Sequence, residues 1–184
     1  MPHSFSQAAL AIIVNSMKGS ANPALADIER KSTALNPSGS VTIDYKVADF
    51  DIIPSVEQAI VAILTKTNPV TPNVQVHISA SPVMVRADKS FVDFIFSDLF
   101  SQLFYSILQG ILVSVYVTGT EEAGIVEIQE TGISQSAELI SNNSLISTDQ
   151  SLMICTQLME DMGGELLYLL NEKGNYYRLK FKLG

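Results

Sequence analysis

The sequence predicts an α+β fold, a two-layer sandwich of helices on a mixed, mostly antiparallel sheet, preceded by a short helical hairpin. Two patterns carry this prediction. Between residues 91 and 107 large apolar side chains recur at every fourth position, as on the buried face of a helix. Residues 177–183 alternate between apolar and basic side chains, which is the period of a strand with one buried face. With 184 residues, 47% of them hydrophobic, the chain can bury a substantial core.

The N-terminal residues favour a helical hairpin. Apolar positions at helical spacing predict helices over about Ser4–Met17 and Pro23–Leu35, and Pro23 suits the first turn of the second helix. A turn-rich joint at 36–40 follows, so residues 1–35 are predicted to form one unit and residues 36–184 a second domain. Two helices this short cannot bury their apolar positions alone, and we expect the hairpin to pair two chains as a homodimer.

Strands and helices alternate through the middle of the chain. Val41–Val47 alternates as a half-buried strand, and Pro54–Leu64 has a helical pattern. Val74–Ile78 and Val83–Val85 are predicted as short strands that precede the regular helix around residues 91–108.

The C-terminal elements close the predicted sheet. Residues 133–150 are polar and irregular, and a helix is expected from about Gln150 to Met162, with Gly163 and Gly164 as its stop. The strands predicted on either side of these segments form a pair and a closing hairpin: Ile111–Val117 with Gly124–Gln129, and Glu165–Leu170 with Tyr176–Leu183.

Composition excludes several classes of protein. The net charge of −8 is unsuited to nucleic-acid binding, and one cysteine with two distant histidines rules out a disulfide framework and structural zinc. An uncharged run of twenty-two residues, Leu99–Thr120, has the length of a membrane span. Glutamines and Gly110 interrupt it, and its second half is β-branched, so we predict a buried helix followed by a strand and no membrane insertion. Cytoplasmic localisation is the expectation.

Several short segments occur in an order that matches a known family. Asp49–Val56 leads into a helix, Val85–Asp88 precedes the regular helix, and Thr131-Gly132 follows a strand. Leu152–Gly164 is a helix that ends in Gly-Gly before the closing hairpin. Over about residues 48–184 the chain resembles the ATP-binding domain of sensor histidine kinases, in the ATPase superfamily shared with DNA gyrase and a heat-shock chaperone. The resemblance implies that fold and a nucleotide pocket.

The resemblance also assigns pocket positions. Gln102 stands where the family has the asparagine that ligates magnesium, and Asp98 stands at that helix's other asparagine. Glu130 replaces the aspartate that binds adenine, with Gly132 and Ser134 completing the first glycine box. Because Mg²⁺ demands tight octahedral geometry, the extra methylene of a glutamine alters such a site. An alternative interpretation makes Gln102 a hydrogen-bonded core residue and Glu130 and Ser134 turn residues.

The phosphate end departs further from the family. The second glycine box corresponds to residues 149–152, where Asp149 and Ser151 stand and no glycine occurs. We expect Asp149 at the N-terminus of the following helix, as its cap, where its carboxylate would repel a phosphate. Residues 133–150 contain no Lys or Arg to neutralise a triphosphate.

Two functions follow from these positions. The first is a signal-transduction protein whose degenerate ATP-binding domain needs no cofactor and serves as a regulatory, docking or phosphotransfer module for a response-regulator-type partner. The second is a divergent histidine kinase that binds Mg-ATP through Gln102 and Glu130 and phosphorylates a histidine. His3 and the residues after it resemble the family's histidine box, which makes His3 a candidate for phosphoryl acceptance.

Overall fold

A computed structural model describes residues 4–6, 40–42, 45–66, 73–103, 111–131, 144–171 and 174–184. The elements in these ranges are β1 (Ser4–Ser6), β2 (Ser40–Thr42), β3 (Ala48–Asp51), α1 (Ile53–Lys66), β4 (Val74–Ile78), β5 (Met84–Ala87), α2 (Lys89–Gln102), β6 (Leu112–Gly119), β7 (Ala123–Thr131), α3 (Ser144–Asp161), β8 (Glu165–Asn171) and β9 (Gly174–Lys182).

The main sheet has five strands in the order β4-β6-β7-β9-β8. The β4–β6 pair is parallel and the other three pairs are antiparallel, so the sheet is mixed and mostly antiparallel. Two short antiparallel ribbons, β3 with β5 and β1 with β2, lie outside it. The predicted α+β class and the closing hairpin are confirmed.

One face of the sheet carries the core. Alternate residues of β6, β7 and β9 are fully or almost fully buried on the side that the helices cover. Helix α2 contributes Phe91, Ile95 and Leu99, each 5% exposed or less, which confirms the predicted apolar stripe. The two layers are held by burial of these large side chains, each worth about 1.5–3 kcal/mol.

The ends of two helices have local sequence causes. Asp88 caps α2, because its Oδ1 accepts a hydrogen bond from the Ser90 N–H at 3.0 Å. After α3, Gly163 adopts a φ of 77°, and Gly164 donates its N–H to the Met159 carbonyl at 2.8 Å. This is the Schellman stop that the Gly-Gly pair predicts.

Two predicted segments are wrong near the N-terminus. Ser4–Ser6 is a strand, because it pairs in register with Ser40–Thr42, so the first helix cannot begin at Ser4. The predicted strand Val41–Val47 ends at Thr42. The Tyr45 side chain instead contacts α3, where its hydroxyl donates a hydrogen bond to Asp161 at 2.7 Å. Burial and this contact raise the pKa of Tyr45.

Other predictions fall on residues that the structure does not describe. The rest of the helical hairpin and His3 lie outside the described ranges, as do residues 104–110 at the end of the predicted regular helix. The homodimer and the division at residue 35 therefore stay predictions.

The long uncharged run Leu99–Thr120 divides into a helix and a strand as expected, since α2 ends at Gln102 and β6 begins at Leu112. No helix in the described part combines the length and apolar character that a membrane crossing requires.

Candidate functional site

Four polar side chains meet where α2 packs against α3. Asp98 and Gln102 lie one turn apart on α2, and Ser151 and Cys155 lie one turn apart on α3, so each pair shares one helix face. Asp98 Oδ2 accepts hydrogen bonds from Gln102 Nε2 at 2.8 Å, from Cys155 Sγ at 3.7 Å and from Ser151 Oγ. These four residues form a polar cluster around one carboxylate, and it joins the two helices.

Gln102 has one satisfied and one unsatisfied end. Its Nε2 donates to Asp98, whereas its Oε1 is buried and has no hydrogen-bond partner among the described residues. Gln102 is half-buried, and its amide nitrogen has the hydrogen bond that the core interpretation expects. A buried carbonyl oxygen without a partner costs about 1–3 kcal/mol, so it calls for an explanation.

Glu130 and Tyr177 lie beneath the polar cluster, on the helix-covered face of the sheet. Glu130 is 3% exposed and sits within β7, which contradicts its interpretation as a turn residue. Its place is set by the alternation that also buries Ile128, and its Oε2 accepts the Asn175 N–H of β9 at 3.1 Å. Burial, with the charges of Glu130 and Asp98, raises the pKa of the Tyr177 phenol. Two carboxylates thus lie near one buried hydroxyl.

Helix α3 begins earlier than the sequence pattern indicates. It starts at Ser144, so Asp149 is its sixth residue and Ser151 its eighth, and the expected position of Asp149 as the N-terminal cap is wrong. The physical reason is that no Gly or Pro between residues 144 and 161 interrupts a helix. Beyond the first turn, each N–H is bonded to the carbonyl four residues earlier. The N–H groups of residues 149–151 are therefore used within the helix. Gly132 and Ser134 lie outside the described residues.

Comparison with known proteins rests on structure alone. No protein-family model and no curated protein sequence matches this chain. Among solved structures, the nucleotide-free catalytic domain of histidine kinase ThkA superposes with a TM-score of 0.61 at 14% identity, over 75% of this chain and 96% of that one. The cytoplasmic segment of histidine kinase QseC gives a TM-score of 0.58 at 11% identity, over 95% of both chains. The chain has a histidine-kinase-like ATPase fold.

A third similar structure contains a partner. Histidine kinase ThkA in complex with the response regulator TrrA superposes with a TM-score of 0.61 at 14% identity, over 96% of this chain and 58% of that one. At such identities the likeness shows the histidine-kinase-like fold and does not carry over any residue's role. Within the described ranges, no three His, Cys, Asp or Glu side chains are grouped as metal ligands.

For two residues of this site, little or nothing in the sequence indicated that they belong to a polar group of side chains. Cys155 fits the apolar stripe of its helix, and its 0% exposure confirms the prediction of a core residue. Its contact with Asp98 adds a polar role that the four-residue spacing from Ser151 could have indicated. Tyr177 was predicted as one apolar position of the last strand, and nothing in that alternation marks its proximity to two carboxylates.

The thiol of Cys155 offers a readout of this helix interface. Burial, followed by the neighbouring Asp98 carboxylate, raises the pKa of the Cys155 thiol well above its ordinary value. At pH 8 we expect the folded protein to react with a chromogenic aromatic disulfide at least about a thousandfold more slowly than the urea-unfolded chain, because reaction requires opening of the core. The chain has a single cysteine, so the signal is unambiguous. Equal rates with and without urea would contradict the packing of α2 on α3.

Proposed function

We propose that this chain is a cytoplasmic signalling module that keeps the histidine-kinase-like fold without nucleotide chemistry, and that it docks a response-regulator-type domain. The observation that supports it best is the hydrogen bond of Ser151 to Asp98. It couples two positions, one on α2 and one on α3, that the family resemblance assigns to a nucleotide pocket. Because the two sides of this pocket are hydrogen-bonded to each other, the residues act as a structural joint between the helices and not as a ligand site.

The backbone supports the same proposal. Phosphates bind at helix N-termini because the first N–H groups have no partner within the helix. In this chain the positions that resemble the second glycine box lie inside α3, so their N–H groups are not free for a phosphate. At these positions a triphosphate would have to be held by side chains alone.

Charge supports it further. Residues 133–161 contain no Lys or Arg, and the carboxylates of Asp98 and Glu130 both act on Tyr177. A polyanion placed here would lie close to two carboxylates, which disfavours binding. The residues present therefore do not fit Mg-ATP.

One observation favours the second function, a divergent kinase that still binds Mg-ATP. Gln102 Oε1 is a buried acceptor with no hydrogen-bond partner in the part of the chain that the structure describes, at the position that the resemblance assigns to a magnesium ligand. Glu130 is buried at the position assigned to adenine recognition. A bound cation would satisfy the glutamine oxygen, so this alternative is tested directly.

Isothermal titration with Mg-ATP separates the two functions, and Asp149→Gly sharpens the test. We expect no binding heat and no rise in melting temperature at millimolar Mg-ATP, for the parent or for the variant. Asp149→Gly should lower the free energy of unfolding by about 0.5–1 kcal/mol, as glycine does within a helix rather than at a cap.

Ser147→Gly in the same helix is the matched control and should have a similar effect on stability. A ligand that binds the native state at a hundred times its Kd adds about 2.7 kcal/mol, which is several degrees in Tm. A rise of that size with Mg-ATP would overturn the non-catalytic proposal and favour the divergent kinase.

A further inference from the structure

The last strand in the spatial order of the sheet is β8, at one edge. It pairs with β9 on one side, and no strand of the described part pairs with its other side. The backbone N–H and C=O groups on that side form a template onto which another strand can add.

This edge lacks the features that usually prevent strand addition. Between Glu165 and Asn171 the sequence is Leu-Leu-Tyr-Leu-Leu, with no Pro, Lys or Gly. Leu167 and Leu169 are 44% and 54% exposed, on the face away from the helices. The opposite edge strand, β4, has five residues and exposes Gln75 and His77 on that face. An apolar edge strand of seven residues is uncommon unless something covers it.

The five central residues of β8 read the same in both directions. An antiparallel copy centred on Tyr168 places position 167 opposite position 169 and position 166 opposite position 170, so a leucine faces a leucine on either side of the central Tyr168 pair. We propose that β8 pairs with β8 of a second copy of this chain across a two-fold axis at Tyr168. The two five-stranded sheets then form one continuous sheet. Such an isologous contact needs a self-complementary surface, which this palindrome supplies.

The neighbouring strand supports a second copy as the occupant. Across β9, Leu167 lies beside Arg178 and Leu169 beside Tyr176. When the two strands pair, four leucines meet at the centre, and the arginine and tyrosine of each copy flank them. An apolar centre with a rim of Arg and Tyr has the composition of a protein interface.

Charges placed at the two exposed leucines test both the contact and its register. In Leu167→Glu/Leu169→Glu, each Glu faces a Glu of the partner subunit across the two-fold axis, and the like charges repel. In Leu167→Glu/Leu169→Lys, each Glu faces a Lys. Both variants share the glutamate beside Arg178 and differ only at residue 169.

Sedimentation velocity of the full chain at tens of micromolar is the measurement. We expect the Glu/Glu variant to associate at least tenfold more weakly than the parent and the Glu/Lys variant to associate within about threefold of it. Equal masses for the parent and the Glu/Glu variant would overturn the proposal, as would equal dissociation of both variants. A separate contact through residues 1–35 would not hide the difference, because that segment is the same in both.

Hydrogen exchange of the parent protein gives a test that needs no variant. If β8 lies at a self-association surface, its edge-facing N–H groups should exchange at least tenfold more slowly at 100 µM than at 1 µM protein, while those of β6 in the sheet centre should not change. Exchange of the β8 N–H groups at a rate independent of protein concentration would overturn the proposal. The candidate occupant of this edge would then be a strand of another protein.

Discussion

Among Gly→Ala substitutions at the described glycines, we expect Gly174→Ala to lower the free energy of unfolding the most. Gly174 has a φ of 131°, and a Cβ there would lie 2.3 Å from the Glu130 carbonyl oxygen and 3.0 Å from its carbon. Both atoms belong to the backbone of a central strand and cannot move aside. Backbone strain and overpacking together should lower the free energy of unfolding by about 2–6 kcal/mol, measured by urea denaturation.

Gly119→Ala is the matched control. Gly119 ends β6, and its added Cβ would meet the nearest Val83 methyl carbon at 3.6 Å, an ordinary contact. Its free energy of unfolding should change by less than about 1 kcal/mol, and a small gain is expected from the less flexible unfolded chain. Equal urea midpoints for the two variants would show that β9 does not approach Glu130 as closely as described.

The layout of the fold could be predicted because burial sets the periodicity of side chains. The apolar stripe of α2 and the alternation of β9 arise from packing against one core, so each is visible in a local stretch. The Gly-Gly stop after α3 was also local, since a left-handed residue at a helix end favours glycine.

The start of α3 and the segment around Tyr45 could not be predicted in the same way. Residues 144–149 have no apolar periodicity, so nothing local marks them as helix, and the absence of a helix breaker is a weak signal. Tyr45 leaves the predicted strand for a contact with Asp161, 116 residues away. Contacts of that separation depend on the finished fold, and no short window of sequence contains them.

The candidate site was predicted position by position but not as a set of interactions. The resemblance to a family named Asp98, Gln102 and Ser151, and the structure brings these three together. What the sequence did not indicate is that Asp98 accepts hydrogen bonds from the other two, because that depends on how α3 packs on α2. Gly132, Ser134 and His3 lie outside the described residues, and their roles stay predictions.

Asp98→Ala measures what the polar cluster does. The change leaves Gln102 Nε2, Ser151 Oγ and Cys155 Sγ without their acceptor between two packed helices. Because each group that loses its partner in a buried setting costs about 1–3 kcal/mol and Asp98 itself is partly exposed, we expect a loss of about 2–4 kcal/mol in the free energy of unfolding. Denaturation in urea, followed by circular dichroism, gives the value.

Asp93→Ala on the same helix is the control for removing a carboxylate. Asp93 pairs with Lys89 at 2.8 Å on the exposed side of α2, and such a pair contributes about 0.3–0.5 kcal/mol. Ser151→Ala combined with Asp98→Ala closes a double-mutant cycle, and a coupling energy above about 0.5 kcal/mol would place the two residues in one interaction.

The sign of the stability change in Asp98→Ala also separates the two functions. Removing a residue that serves the structure lowers the stability of the protein. A residue that serves a ligand usually destabilises the free protein, so its removal leaves stability unchanged or raises it. A neutral or stabilising Asp98→Ala would therefore contradict the structural joint and return Asp98 to a binding site.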